Sequence, residues 1–273
     1  YVAGAQGGGP ILLTPPQALP NEVLQALQRL KVKQVFVIGD DTAIDSAVDA
    51  ALQQHGMRTT RLAGVSRYET AGVIEQAGGR PAKLGGFGPT AVLVNDGDLA
   101  DAVAAGPIAF RSRFPLLYTS AATIPAATLA TLREDGITHL LVVGAESQVS
   151  AGVLSQLATL GVSVQRISGA GDAASNSIAL AQFEQQTLQW PRRQVVLVRG
   201  DQGGIDGVAA IADAGRNAGA LLLTNTPDKL GTTLHAFLAA QAGDVKQLVI
   251  VGDLTTITAA AEREAATALK LRQ

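Results

Sequence analysis

The 273-residue chain has no cysteine, which excludes thiolate metal sites and a disulfide framework. That absence suits either the cytosol or a surface protein that does without disulfides. Aromatic residues are scarce, at 4%, which favours helices packed tightly on sheets over platforms for stacking bases. Charged residues make up 16% and the formal net charge is -2, so there is no basic tail or global field of the kind that draws in nucleic acid. No apolar run approaches the roughly 18 residues of a membrane span, and no signal-peptide pattern is visible. What the chain does have is apolar content, 47%, ample for the core of about one to three domains.

That content is organised as a repeat. Pro10-Ile11-Leu12-Leu13-Thr14 returns as Pro115-Leu116-Leu117-Tyr118-Thr119 and again as Ala220-Leu221-Leu222-Leu223-Thr224, at two steps of 105 residues. The stretch from Arg61 to Ala71 returns, worn, as Arg166 to Asn176 on the same register. Units are therefore expected at residues 1–60, 61–165 and 166–273. The first is expected to be incomplete, because the counterparts of residues 61–105, roughly 45 of them by the repeat arithmetic, would lie upstream of Tyr1. A clipped product of a longer protein, with an open sheet edge, is the expectation.

Within each unit short apolar runs alternate with helical patterns. Ile11–Thr14 between prolines, Val35–Gly39 and Thr59–Ala63 read as strands, the first two of them buried. Pro20 opens a helix, and Ser66 with Glu69 forms a capping box before the next. Strands at 91–94, 116–118, 140–144 and 162–167 follow, then 195–198, 221–223 and 248–251. Strand–helix alternation throughout predicts an α/β chain with parallel sheets and helices on both faces.

Several motifs suggest chemistry, and most have a simpler reading. Gly169-Ala170-Gly171-Asp172-Ala173-Ala174 fits the dinucleotide fingerprint. Its register makes it the descendant of Gly64–Glu69, and no acid follows where a ribose would need one. His55, His139 and His235 have no paired spacing and read as helix-end or surface residues. Asp40-Asp41 reads as capping and dipole complementation rather than a magnesium site. Arg61, Arg67 and Arg166 stand out, since a guanidinium at a strand end suits carboxylate or phosphate. Their structural alternative is pairing with an acid of a neighbouring unit, such as Asp101 or Asp206, to lock units together.

Taken in order, Ile11–Thr14, Leu19-Pro20, Val35–Gly39, the Arg61-Leu62-Ala63-Gly64-x-x-Arg67-Tyr68-x-Thr70-Ala71 stretch and Asp101–Ala105 resemble the bacterial cell wall binding repeat 2 family. The likeness covers nearly the whole chain. The third unit departs from it, with Asp172-Ala173 in place of Arg67-Tyr68 and Leu230-Gly231 in place of Leu-Pro. The resemblance implies three tandem Rossmann-like units about a pseudo-threefold axis. It also implies a non-catalytic module that holds a secreted protein on the cell wall through an anionic secondary polymer, without a cofactor or metal. Ligand contacts would then fall in grooves between units, at Leu12, Leu13, Thr14, Leu116, Leu117, Thr119, Leu222, Leu223 and Thr224, with Arg61, Arg67 and Arg166 nearby. Strand C-termini are also where open α/β sheets place ligands on physical grounds. The net charge of -2 requires any positive groove to be local. The rivals are an α/β enzyme acting on a sugar or nucleotide through the Gly169 loop, and a surface scaffold without wall affinity.

Overall fold

The computed structural model describes residues 1–201 and 203–271. Three all-parallel sheets follow one another along the chain. The first part runs α1 (Val2–Ala5), α2 (Asn21–Arg29), β1 (Gln34–Ile38), α3 (Ser46–Gln54) and β2 (Arg58–Leu62), with β1 paired to β2. The middle part runs α4 (Arg67–Gly78), β3 (Thr90–Asn95), α5 (Leu99–Arg111), β4 (Leu116–Thr119), α6 (Ala126–Glu134), β5 (His139–Val143), α7 (Ala151–Thr159) and β6 (Ser163–Ile167). Its strands lie in the order β4-β3-β5-β6. The last part runs α8 (Ala173–Gln186), β7 (Gln194–Arg199), α9 (Gly207–Asn217), β8 (Ala220–Thr224), α10 (Thr232–Ala240), β9 (Gln247–Val251) and α11 (Ala259–Ala268), with the order β8-β7-β9.

The central strands β3 and β7 read as unbroken apolar runs because helices cover both their faces. Ala91 to Val94 and Val195 to Val198 have no exposed surface. Ser66 caps its helix as the sequence predicts, and Asp98, Ser150 and Asp172 do the same for theirs; each accepts the backbone N–H three residues on. Glu69 does not close the expected capping box. Its Oε2 accepts from Val65 N at 3.0 Å, one residue before the cap.

The three parts meet along helices. Gly106 on α5 faces Ile211 on α9, and Gly207 on α9 faces Val103 on α5; these absent side chains let the two backbones close. α1 joins them, with Gly4 against Phe110 and Gly8 beside the Arg216 guanidinium.

Two further expectations fail here. With no sheet strand on its other side among the described residues, β1 is only partly covered, Val37 being its one buried residue and Ile38 39% exposed. Ile11–Thr14 is not a strand, and Leu12 and Leu13 are 37% and 48% exposed. Its counterpart β4 is held by β3, with Leu116 paired to Val92. Among the described residues the first sheet has no strand in the position of β3, so the segment has nothing to hydrogen-bond.

Candidate functional site

Arg61 and Arg166 occupy equivalent places and do the same job. From β2, Arg61 Nη1 donates to Gly39 O at 2.8 Å, across the end of β1. Its Nη2 meets the Asp49 carboxylate and lies 3.4 Å from Asp41 Oδ1. From β6, Arg166 Nη1 donates to Gly144 O at 2.6 Å and Nη2 to Val149 O at 2.5 Å, across the end of β5. Each guanidinium fastens the loop that leaves the neighbouring strand of its own sheet. The partners expected from the sequence, Asp101 and Asp206, are not used. The reason is reach: a side chain at a strand end meets the adjacent strand's loop first.

Arg67 differs. It is exposed at the start of α4, and Nη1 donates to Asp96 O at 2.7 Å, while the neighbouring Tyr68 hydroxyl donates to the Asp96 carboxylate. Together they tie α4 to the end of β3 and leave part of the guanidinium in solvent.

The apolar candidates separate by burial. Leu117, Leu222 and Leu223 are core residues, and Thr119 and Thr224 have no exposed surface. Packing, not ligand contact, accounts for them. The hydroxyls of Thr14, Thr119 and Thr224 are also spent locally. They donate to Ala18 O at 2.8 Å, Thr123 O at 3.1 Å and Lys229 O at 3.1 Å, closing the same loop three times. Leu116 is half-buried. Of the predicted contacts, Leu12, Leu13 and Arg67 present open surface.

Sequence reasoning missed a buried polar knot at the junction of the middle and last parts. Asp101, 1% exposed, receives Asn176 Nδ2 at 2.9 Å and Gln148 Nε2 at 2.8 Å on Oδ2. Asn176 Oδ1 in turn accepts from Gly169 N at 2.9 Å. Burial pushes the Asp101 carboxyl up to about 7; nearby Asp98 adds to the push, and the two amides oppose it. Register gave no signal for it: Thr70 accepts the N–H of Gly64, but its counterpart 105 residues on is Ser175, and the N–H of Gly169 goes one residue further, to Asn176.

The Gly169 loop is closed to phosphate by its own residues. The Asp172 carboxylate sits at the N-terminus of α8 and accepts from Ser175 N at 2.8 Å, where a phosphate would have to dock. Asp40 caps a turn, accepting from the Thr42 hydroxyl at 2.6 Å and Ala43 N at 3.2 Å. His139, expected at a surface or helix end, is instead buried in β5, bonded to Ser163 Oγ at 2.8 Å and stacked on Phe87 at 4.1 Å. A groove of about 610 Å³ between α4 and α6 is lined by the acids Asp40, Glu69 and Glu134 and by no Lys or Arg.

Residues 61–154 match the family model described as Cell wall binding domain 2 (CWB2). Over 253 residues the chain is 28% identical to the N-acetylmuramoyl-L-alanine amidase LytC of Bacillus subtilis (strain 168), covering 93% of this chain and 47% of that protein. It is 27% identical over 154 residues to the Amidase enhancer of the same organism, covering 55% of this chain and 21% of that protein. The chain therefore spans about half or less of these relatives. Its fold is similar to that of Cwp8 from Clostridium difficile (TM-score 0.77, 20% identity, 100% of this chain and 45% of that one). Cwp6 from the same organism gives a TM-score of 0.79 at 18% identity, over 98% of this chain and 41% of that one. The family match thus runs from the end of β2 into α7, so that this part of the chain carries the cell wall binding domain 2 pattern, while the likeness in fold to the two Cwp proteins runs end to end.

Proposed function

We propose that the chain is a non-catalytic module that anchors a secreted protein to the bacterial cell wall by binding an anionic secondary wall polymer. The CWB2 match over residues 61–154 carries this reading. Two relatives named for amidase function extend well beyond the matched part, which supports an attached effector domain and a place outside the cell, at the wall. The pseudo-threefold arrangement belongs to the same proposal; the meeting of α1, α5 and α9 favours it.

The enzyme reading has little to work with. The strand-end polar groups described above are engaged with the chain itself, and the Gly169 loop holds its own carboxylate. The test is a fluorescent-protein fusion of the chain applied to isolated walls of the native host, alongside a muropeptide-release assay on the chain alone. Labelled walls with no release are expected. Release of muropeptides would overturn the non-catalytic reading, and unlabelled walls would leave the scaffold in its place.

A further inference from the structure

The charges of this chain are sorted by sheet edge. In a parallel α/β arrangement every helix starts at the C-terminal edge of the strands and ends at their N-terminal edge. Of the described Lys and Arg, only Arg61, Arg67, Arg166, Arg199, Lys229 and Arg263 lie toward the C-terminal edge. Of the 23 Asp and Glu, only Glu75, Glu134, Asp135, Glu184, Asp213 and Asp244 lie toward the N-terminal edge. Glu75 and Glu184 are buried, and burial raises both carboxyls, Glu75 to about 8, so they add little negative charge. A net charge of -2 thus conceals acidic strand edges and basic ones.

Helix dipoles account for part of this, since they favour acids at helix starts and bases at helix ends, but their influence fades beyond the terminal turn. They do not account for the bases at the strand starts. Arg58 N donates to Lys33 O at 2.9 Å, and Lys246 N donates to Arg193 O at 2.7 Å. Ala82 N, next to Lys83, donates to Arg113 O at 3.1 Å. The first and last sheets therefore begin with two cationic residues on adjacent backbone, and in the middle one Arg113, just before β4, lies beside the loop that carries Lys83 ahead of β3; all six are exposed. Like charges set side by side repel and cost stability. Ion pairing does not relieve them: among the described residues the ion pairs are Arg61 with Asp41 and Asp49, and Arg199 with Asp201, all at the opposite edge. Beside the first pair lies a depression of about 490 Å³ lined by Gln34, Gln53, Met57, Arg58, Thr59 and Thr60. Its amides and hydroxyls suit sugar hydroxyls next to a bound anion.

We propose that the anionic polymer docks on the N-terminal strand edge, across the Lys33/Arg58, Lys83/Arg113 and Arg193/Lys246 pairs, and not at the strand C-termini. The proposal rests on the reading of the chain as a polymer-binding module. The matching partner is a polymer with charges repeated along its length, phosphodiester or carboxylate, because the pairs are spread over three sheets rather than gathered in one pocket.

The test is co-sedimentation of the whole chain with isolated host walls across a salt series. Three double variants, Lys33→Gln/Arg58→Gln, Lys83→Gln/Arg113→Gln and Arg193→Gln/Lys246→Gln, are compared with Arg67→Gln at the acidic edge, all checked by melting temperature. Each double variant should weaken retention about fivefold or more and flatten its salt dependence, while Arg67→Gln stays near wild type. Full retention by all three double variants, or loss confined to Arg67→Gln, overturns the placement and leaves anchoring standing. If wild type itself is not retained, the polymer-binding reading falls and the placement with it. Adding soluble polyphosphate or polygalacturonate as competitor separates phosphate from carboxylate recognition.

Discussion

Replacing Asp101 with Asn should alter the pH dependence of stability in one definite direction. Asp101 lies in the first turn of α5 with 1% of its surface exposed, held by Asn176 and Gln148 across the junction of two parts of the chain. Burial, reinforced by Asp98, moves its carboxyl from 3.8 to about 7 in the folded protein. A carboxyl raised in this way binds more protons folded than unfolded between those values. Its contribution is fully present below the unfolded value and is lost as pH rises through the folded one. Each tenfold change in acidity is worth about 1.4 kcal/mol, so the whole swing has a ceiling of about 4 kcal/mol. The N-terminus of α5 favours the ionised form and makes the true swing smaller. Asn has the same shape and no proton to release. Urea unfolding followed through Trp190, the chain's 1 tryptophan, would compare wild type with Asp101→Asn between about pH 4 and about pH 8. The variant should gain on wild type steadily up to about pH 7 and then hold level. A difference that does not vary with pH would refute the argument, because it would mean that Asp101 stays ionised despite its burial.

Two further perturbations probe the packing and the strand-end arginines. Gly106→Ala would place a methyl 2.5 Å from Ile211 Cδ1 and Cγ1 at the α5–α9 crossing. The strain should outweigh the gain in helix propensity and lower stability by about 1 kcal/mol, read as a fall in melting temperature; a rise would contradict the close approach. Arg61→Ala strands the Asp49 carboxylate and the Gly39 carbonyl, so it should cost about 1–3 kcal/mol and leave wall retention unchanged. Unchanged melting with lost retention would make Arg61 a ligand contact.

The parallel α/β architecture was legible because strand and helix periodicities alternate without interruption and three copies share a register. What the sequence could not supply was context. Ile11–Thr14 has the composition of β4, but a strand exists only where another offers its hydrogen bonds, and no described strand does. Leu222 and Leu223 look the same in sequence as Leu12 and Leu13, yet two are buried and two exposed. Neighbouring elements, not residue type, decide which. Arg61 and Arg166 were rightly paired with each other, but their partners lie across a strand end, Gly39 and Gly144, at a separation that no local pattern marks. The sorting of charge between the two sheet edges is invisible to a net charge of -2. It emerges only once the direction of every strand and helix is known.

The central claim is that this chain holds on to the cell wall through an anionic polymer. It is tested most directly by sedimenting the purified chain with host walls before and after acid removes the secondary polymers. The account predicts that the chain pellets with intact walls and stays in solution with stripped ones. Equal retention on both would contradict it and move recognition to the peptidoglycan itself.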